Sequence, residues 1–163
     1  MIDEVFFNEK AYPAFQAHGN ASQFAIPFAS HVCKGYGFDV GCHKIEWAFP
    51  GAIPIDIFFD DPFDANNLPE RDPDYIYSSH CLEHVENWVA TLDYWYERLL
   101  VGGVLFLYLP DFSQEYWRPW NNYKHRHCLT PAIIYSYLAA KKYKKIFISG
   151  IDLNNSFMAM AEK

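Results

Sequence analysis

The chain has 163 residues, enough for one domain with a proper core and too few for two ordinary ones. Hydrophobic residues make up 51% and charged residues 20%, which excludes a disordered chain. The net charge is −7, and the only basic cluster, Lys141-Lys-Tyr-Lys-Lys145, ends a predicted helix, so no nucleic-acid partner is expected. No apolar run approaches the ~20 residues that span a bilayer, and the acidic start Met1-Ile-Asp-Glu4 is unlike a signal peptide. A cytoplasmic protein without a membrane partner follows as the expectation. Cys33, Cys42, Cys81 and Cys128 lie far apart with no CxxC pair, which reads as free thiols in a core.

Residues 1–21 show no clear period and read as an N-terminal arm, and residues 22–163 as a single domain. Ser22 to Cys33 predicts a helix with Ser22 as N-cap and Phe24, Phe28, Ala29 and Val32 on one face, with Pro27 in its first turns. A strand at about Gly37–Val40 is followed by His43–Gly51, short for a crossover helix and cut by Pro50. Ala52–Asp56 predicts the second strand, and Asp60–Glu70 a polar loop. Tyr75–Ser79 is a β-rich run, and Glu86–Leu100 carries a helical stripe of Val89, Leu92, Trp95, Tyr96 and Leu99, closed by Gly102-Gly103. Val104–Leu109 is apolar without a break and reads as a buried strand. Thr130-Pro131 supplies an N-cap and first residue for a helix to about Lys142. Lys145–Ile151 and Ser156–Ala161 then predict a strand pair joined at Asp152–Asn155. Alternating strands and helices imply a doubly wound α/β domain, mostly parallel, with one antiparallel strand from the closing hairpin.

The chemistry concentrates at strand ends. In Gly35-Tyr-Gly-Phe-Asp39-Val-Gly41-Cys42 a short apolar strand runs into a glycine turn, and Asp39 closes the strand. Gly41 permits a positive φ and the close approach of a ligand, and open α/β sheets bind ligands at the carboxyl ends of their strands. A second carboxylate, Asp56, ends the next strand. The ordered series Asp39-Val-Gly41-Cys42, Ile55-Asp56, Asp64-Ala65…Leu68-Pro69, Asp74–His84 and Leu100–Pro110 resembles the class I S-adenosylmethionine (SAM)-dependent methyltransferases, in particular the group labelled type 11. The resemblance covers about residues 22–163. It implies a Rossmann-like fold with a seven-stranded sheet whose last strand is antiparallel, and SAM as cofactor with S-adenosylhomocysteine as product.

Carried over by position, the resemblance places the Asp39, Gly41 and Cys42 turn, with His43, under the methionine and ribose of the cofactor. It gives Asp56 the ribose hydroxyls, Asp64 and the Ala65 backbone the adenine amino group, and Leu82 an adenine face. Ser79 and His80 would lie beside the sulfonium, and Asp111 would face the acceptor. Two departures stand out: His43 occupies a position where the family usually has glycine, and the Asp39–Asp56 crossover is short. The His43 side chain either crowds the methionine carboxylate or donates a hydrogen bond to it.

Methyl transfer from a sulfonium is an in-line displacement in which the protein mainly positions the nucleophile. Where a base is needed, the candidates are His80, Asp111 and His127. Structural alternatives are a helix-entry role for His80 and a turn role for Asp111 after Pro110. The stretch Tyr116–Cys128 mixes aromatics with His, Arg and Asn. It suits either a pocket that stacks on a ring or sugar face, or an aromatic cluster at the sheet edge or at a dimer contact. His80, Cys81, His84, His125, His127 and Cys128 offer zinc-type ligands, but their spacing matches neither a finger nor an HExxH helix, and no metal is assigned. The expected partner is a small-molecule acceptor such as a sugar or secondary metabolite, with either the arm and aromatic loop or a second subunit closing the site. The rival reading is a degenerate, non-catalytic binding protein of the same fold. A nicotinamide-dependent oxidoreductase is disfavoured by the missing Gly-x-Gly-x-x-Gly pattern.

Overall fold

The computed structural model describes residues 3–163; Met1 and Ile2 of the expected arm lie outside them. The rest of the arm is not irregular. It forms a hairpin, β1 (Glu4–Phe7) and β2 (Lys10–Pro13), whose turn residues Asn8 and Glu9 both take positive φ, as two-residue hairpin loops require. Strands of four residues with partly exposed side chains leave too little alternation to read in sequence. A 3-10 turn, Ala14–Ala17, leads to α1 (Ser22–Val32). Ser22 is the first helical residue and not the cap; its hydroxyl bonds the Tyr77 hydroxyl at 2.8 Å, and Ala21 before it offers no side-chain cap.

The main sheet begins with β3 (Gly37–Val40) and β4 (Ile53–Ile55), joined only by a 3-10 turn, Ile45–Trp47. It continues with β5 (Tyr75–Ser79), a 3-10 turn at Leu82–His84, α2 (Trp88–Arg98) and β6 (Val104–Pro110). A 3-10 turn at Glu115–Trp117, α3 (Pro131–Ala140), β7 (Lys144–Ile148) and β8 (Ser156–Glu162) complete it. Strand order is β4-β3-β5-β6-β8-β7. β4, β3, β5 and β6 pair parallel, and β8 runs antiparallel to both of its neighbours. The doubly wound sheet with an antiparallel closing strand is as expected, but it has six strands among the described residues and not seven. The segment between β4 and β5 has Pro62, Pro69 and Pro73 and seven acidic residues, with a single isolated bridge, Asp64 to Asn67; it has neither the backbone donors nor the apolar alternation for an edge strand.

Side chains alternate across the buried strands. Tyr75, Tyr77, Phe106 and Tyr108 face α1, where they pack with Ala25, Ala29 and Phe49. Ile76, Leu105, Leu107 and Leu109 face the other way, against Leu92, Trp95 and Leu99 of α2 and Ile134 and Leu138 of α3. Asn87 caps α2 through the Ala90 amide, and the helix stops at Leu99, with Gly102 (φ 82°) in the following turn and not at the cap. Thr130 caps α3 through the Ile133 amide, as expected.

α2 also holds the polar loop. The Trp95 indole N–H donates to the Ala65 carbonyl (2.7 Å), Thr91 donates to Asn66 Oδ1 (2.6 Å), and the Leu68 amide donates to the Tyr94 hydroxyl (2.9 Å). The hairpin is tied across the molecule: Lys10 pairs with Glu115, and Gln16 donates to the Leu153 carbonyl (2.8 Å) and to Asn155 Oδ1 (2.7 Å). The four cysteines are free, and burial pushes the Cys33 and Cys42 thiols up to about 12. Among the described residues, no helix is long and apolar enough to cross a membrane.

Trp95 is fully buried, so Trp95→Phe opens a small cavity and strands the Ala65 carbonyl. The expected loss is about 2 kcal/mol in urea unfolding with an unchanged m-value.

Candidate functional site

A cleft of about 220 Å³ opens at the carboxyl ends of β3 and β5, covered by the segment that precedes α1. Its floor is the glycine turn. Gly41 has φ 87°, and a Cβ there would collide with the Cys81 side chain, so only glycine fits. The Gly41 amide donates to the Ile55 carbonyl (2.7 Å) and fixes the turn against β4. His43 also has positive φ (62°), the conformation glycine would adopt without strain. Its ring swings out of the turn and packs on Trp47 and Phe58, with centroids 5.5 and 5.0 Å away.

The two strand-end carboxylates organise the crossover. Asp39, 1% exposed, accepts the Phe49 amide on Oδ2 (2.6 Å), while its Oδ1 is buried without a partner. Burial pushes its carboxyl up to about 7, with the Asp56 charge adding to the shift against the Phe49 hydrogen bond. Asp56 accepts the His43 amide on Oδ2 (2.7 Å) and the Phe58 amide on Oδ1 (3.1 Å). Two further buried atoms on the cleft-lining residues lack partners, Asn20 Oδ1 and Ser79 Oγ. Buried polar atoms are nearly always paired, so three orphans around one hollow mark a place for a ligand rich in donors.

His80, also left-handed (φ 49°), lines the cleft. The Ser156 hydroxyl donates to the Asn154 carbonyl (3.0 Å), which leaves its oxygen to accept His80 Nε2–H at 2.9 Å. Burial, with His125 and His84 nearby, pushes His80 down to about 3, so its ring is neutral at neutral pH.

The cleft therefore brings together Asp39, Gly41, Cys42, His43, Ser79 and His80. Other expected site residues lie elsewhere. Asp56 stands behind the turn, and Leu82 has no exposed surface and packs in the core beside α2. Asp64 forms a turn with the Asn66 amide (2.6 Å), and the Ala65 carbonyl is occupied by Trp95. Asp111 and His127 line a separate small hollow with His125 and Cys128, which shares only Trp117 with the cleft. Asp111 accepts the Ser113 amide (3.0 Å), the turn role. His127 donates Nε2–H to the Val85 and Glu86 carbonyls (2.8 and 3.1 Å). Phe15, Gln16 and Asn20 of the arm and Trp117 of the aromatic loop also line the cleft, while sequence reasoning missed Ser22 and Asn154. A polar Gly-Asn pair ahead of a helix was the one available signal.

The methyltransferase-domain family matches residues 18–149, most of the chain, and the chain belongs to it: it is a class I SAM-dependent methyltransferase by family. No curated protein matches its sequence. In fold it is similar to a SAM-dependent methyltransferase from Archaeoglobus fulgidus, at 15% identity and TM-score 0.62 over 88% of this chain and 95% of that one. A possible histamine N-methyltransferase from Thermotoga maritima superposes at 14% identity and TM-score 0.68, over 92% and 93%. The N-methyltransferase NodS from Bradyrhizobium japonicum, solved with S-adenosylhomocysteine, does so at 13% and 0.63, over 91% and 87%. SAM is the cofactor of this family. The cleft fits it, because the cofactor's ammonium and ribose hydroxyls are the donors that the orphan acceptors lack.

A carboxyl raised from 3.8 to about 7 stabilises the fold fully below pH 4, and that contribution is lost as pH rises through 7. In ligand-free protein the stability of wild type relative to Asp39→Asn is expected to fall by roughly 3 kcal/mol between pH 4 and 7. Urea unfolding across that range measures it; a flat difference would mean that Asp39 titrates as an exposed carboxyl does.

Proposed function

We propose that the protein transfers the methyl group of SAM to a small-molecule acceptor held at the mouth of the cleft. The observation that carries this reading is the set of unpartnered polar atoms of Asn20, Asp39 and Ser79 around the glycine turn of a family methyltransferase domain. When bound, SAM supplies an electrophilic methyl group, and the chain supplies position. Asn20 and Asp39 accept hydrogen bonds from the cofactor's donors, and Gly41 lets it lie against the backbone. Asp56 acts at one remove, holding the His43 amide and so the shape of the turn. Ser79 and His80 border the reacting end.

None of the three candidate bases is free of structural duty: His80 Nε2, His127 Nε2 and one Asp111 oxygen are each engaged. An acceptor that is already nucleophilic, such as a neutral amine, needs no proton removed before transfer and fits this set. On the acceptor side Trp117 lines the cleft, while Trp120 (71% exposed) and Tyr123 (89% exposed) stand free on the same loop. Rings so placed suit stacking on a planar or sugar face.

Calorimetric titration with S-adenosylhomocysteine tests the reading, with micromolar, one-to-one binding expected. Ser79→Ala deletes a buried atom that has no partner, so the ligand-free protein should keep or gain stability while affinity falls about tenfold. No binding at millimolar ligand by a folded protein would leave the domain a non-catalytic relative. With labelled SAM and an acceptor panel led by amines, Trp117→Ala should raise the acceptor KM several-fold with a smaller effect on kcat.

A further inference from the structure

Beside the cleft lies a second cluster that methyl transfer does not use. Glu83, on the 3-10 turn after β5, has no exposed surface, and neither of its carboxylate oxygens has a hydrogen-bond partner. A buried, unpaired carboxylate is among the most unfavourable groups a core can contain. Around it stand imidazoles: His84 Nε2 is 3.6 Å and His80 Nδ1 3.9 Å from Glu83 Oε1, both too long for a hydrogen bond. One ligand atom each from Glu83, His84 and His125 falls within 4.8 Å of the others.

The geometry points to a site for one divalent transition-metal ion, of the zinc, cobalt or manganese kind, held by Glu83, His84 and His125. Ligands about 2.1 Å from a tetrahedral ion sit roughly 3.4 Å apart, close to the separations found around Glu83 Oε1. His84 carries the outer contact that a metal site requires. His84 Nδ1–H donates to the Lys124 carbonyl (2.8 Å), which leaves the Nε2 lone pair facing Glu83. The Arg126 amide donates to the Glu83 carbonyl (2.8 Å), so the strand of loop that carries His125 is fastened to the turn that carries Glu83 and His84. Mixed imidazole and carboxylate donors select first-row transition metals over calcium or magnesium. The His84 side chain, 40% exposed, gives the ion a route from solvent. A Glu–His ion pair, the simpler alternative, would close one of these gaps to hydrogen-bond length, and none is closed.

The test uses the full chain freed of metal by a chelator and reads metal binding alone, so it stands apart from any search for methyl transfer. Zinc titration by calorimetry should show one saturable site at micromolar or tighter Kd, with a rise in Tm. Cobalt(II) should give the visible bands of a four- or five-coordinate nitrogen and oxygen site. Glu83→Gln and the more exposed His84→Ala should each weaken zinc at least 30-fold while circular dichroism shows a folded protein, and His31→Ala, outside the cluster, should change nothing. No saturable binding by wild type, or variants that bind within threefold of wild type, would overturn the assignment.

Discussion

The structure depends on how β3 and β4 are joined without a helix. A parallel connection usually needs a dozen or more residues and buries its own backbone groups in a helix. Here a single 3-10 turn spans the gap, and the carboxylates that end the two strands take up the stray amides: Asp39 that of Phe49, Asp56 those of His43 and Phe58. Without those acceptors the loop would leave buried donors unpaired, and the glycine turn would lose its shape. Asp39 accepts this duty at the expense of burial, which is why its carboxyl is pushed up to about 7.

The same arrangement leaves the cleft deliberately unfinished. The sheet is packed on both faces, with aromatic rings toward α1 and aliphatic side chains toward α2 and α3. The hollow at the strand ends is bordered by acceptors that have no partner among the described residues. A protein at its stability optimum would fill such atoms with partners or replace them by apolar groups. Their persistence beside a turn where no side chain but hydrogen fits is how this fold exchanges stability for recognition.

Much of this was legible in the sequence. The strands at Gly37–Val40, Tyr75–Ser79 and Val104–Pro110, the helix Trp88–Arg98 and the helix capped by Thr130 follow from apolar runs, a helical stripe and a cap, which act locally. The glycine turn and its carboxylate were readable for the same reason. What escaped was non-local. The β1–β2 hairpin is set by a positive-φ Asn-Glu pair that has no strong signature, and the sixth-for-seventh strand difference depends on an edge that no core demands. Glu83 was not singled out, because only the folded loop at 122–127 brings His125 against it. Asp111 and His127 stood close to the expected region in sequence, yet their hydrogen bonds assign them to the scaffold of the aromatic loop.

The ties between the hairpin and the opposite end of the chain set the order in which this protein can be made. Gln16 reaches Leu153 and Asn155 across more than 130 residues, and Ser156 holds His80 Nε2. A nascent chain that has emerged as far as α3 can pair β3, β5 and β6, but it has neither Asn154 nor Ser156 to complete the cleft wall. Closing a loop of that length comes late because its entropy must be met before its contacts form. The cleft wall is therefore complete only when segments more than 130 residues apart in the chain have met.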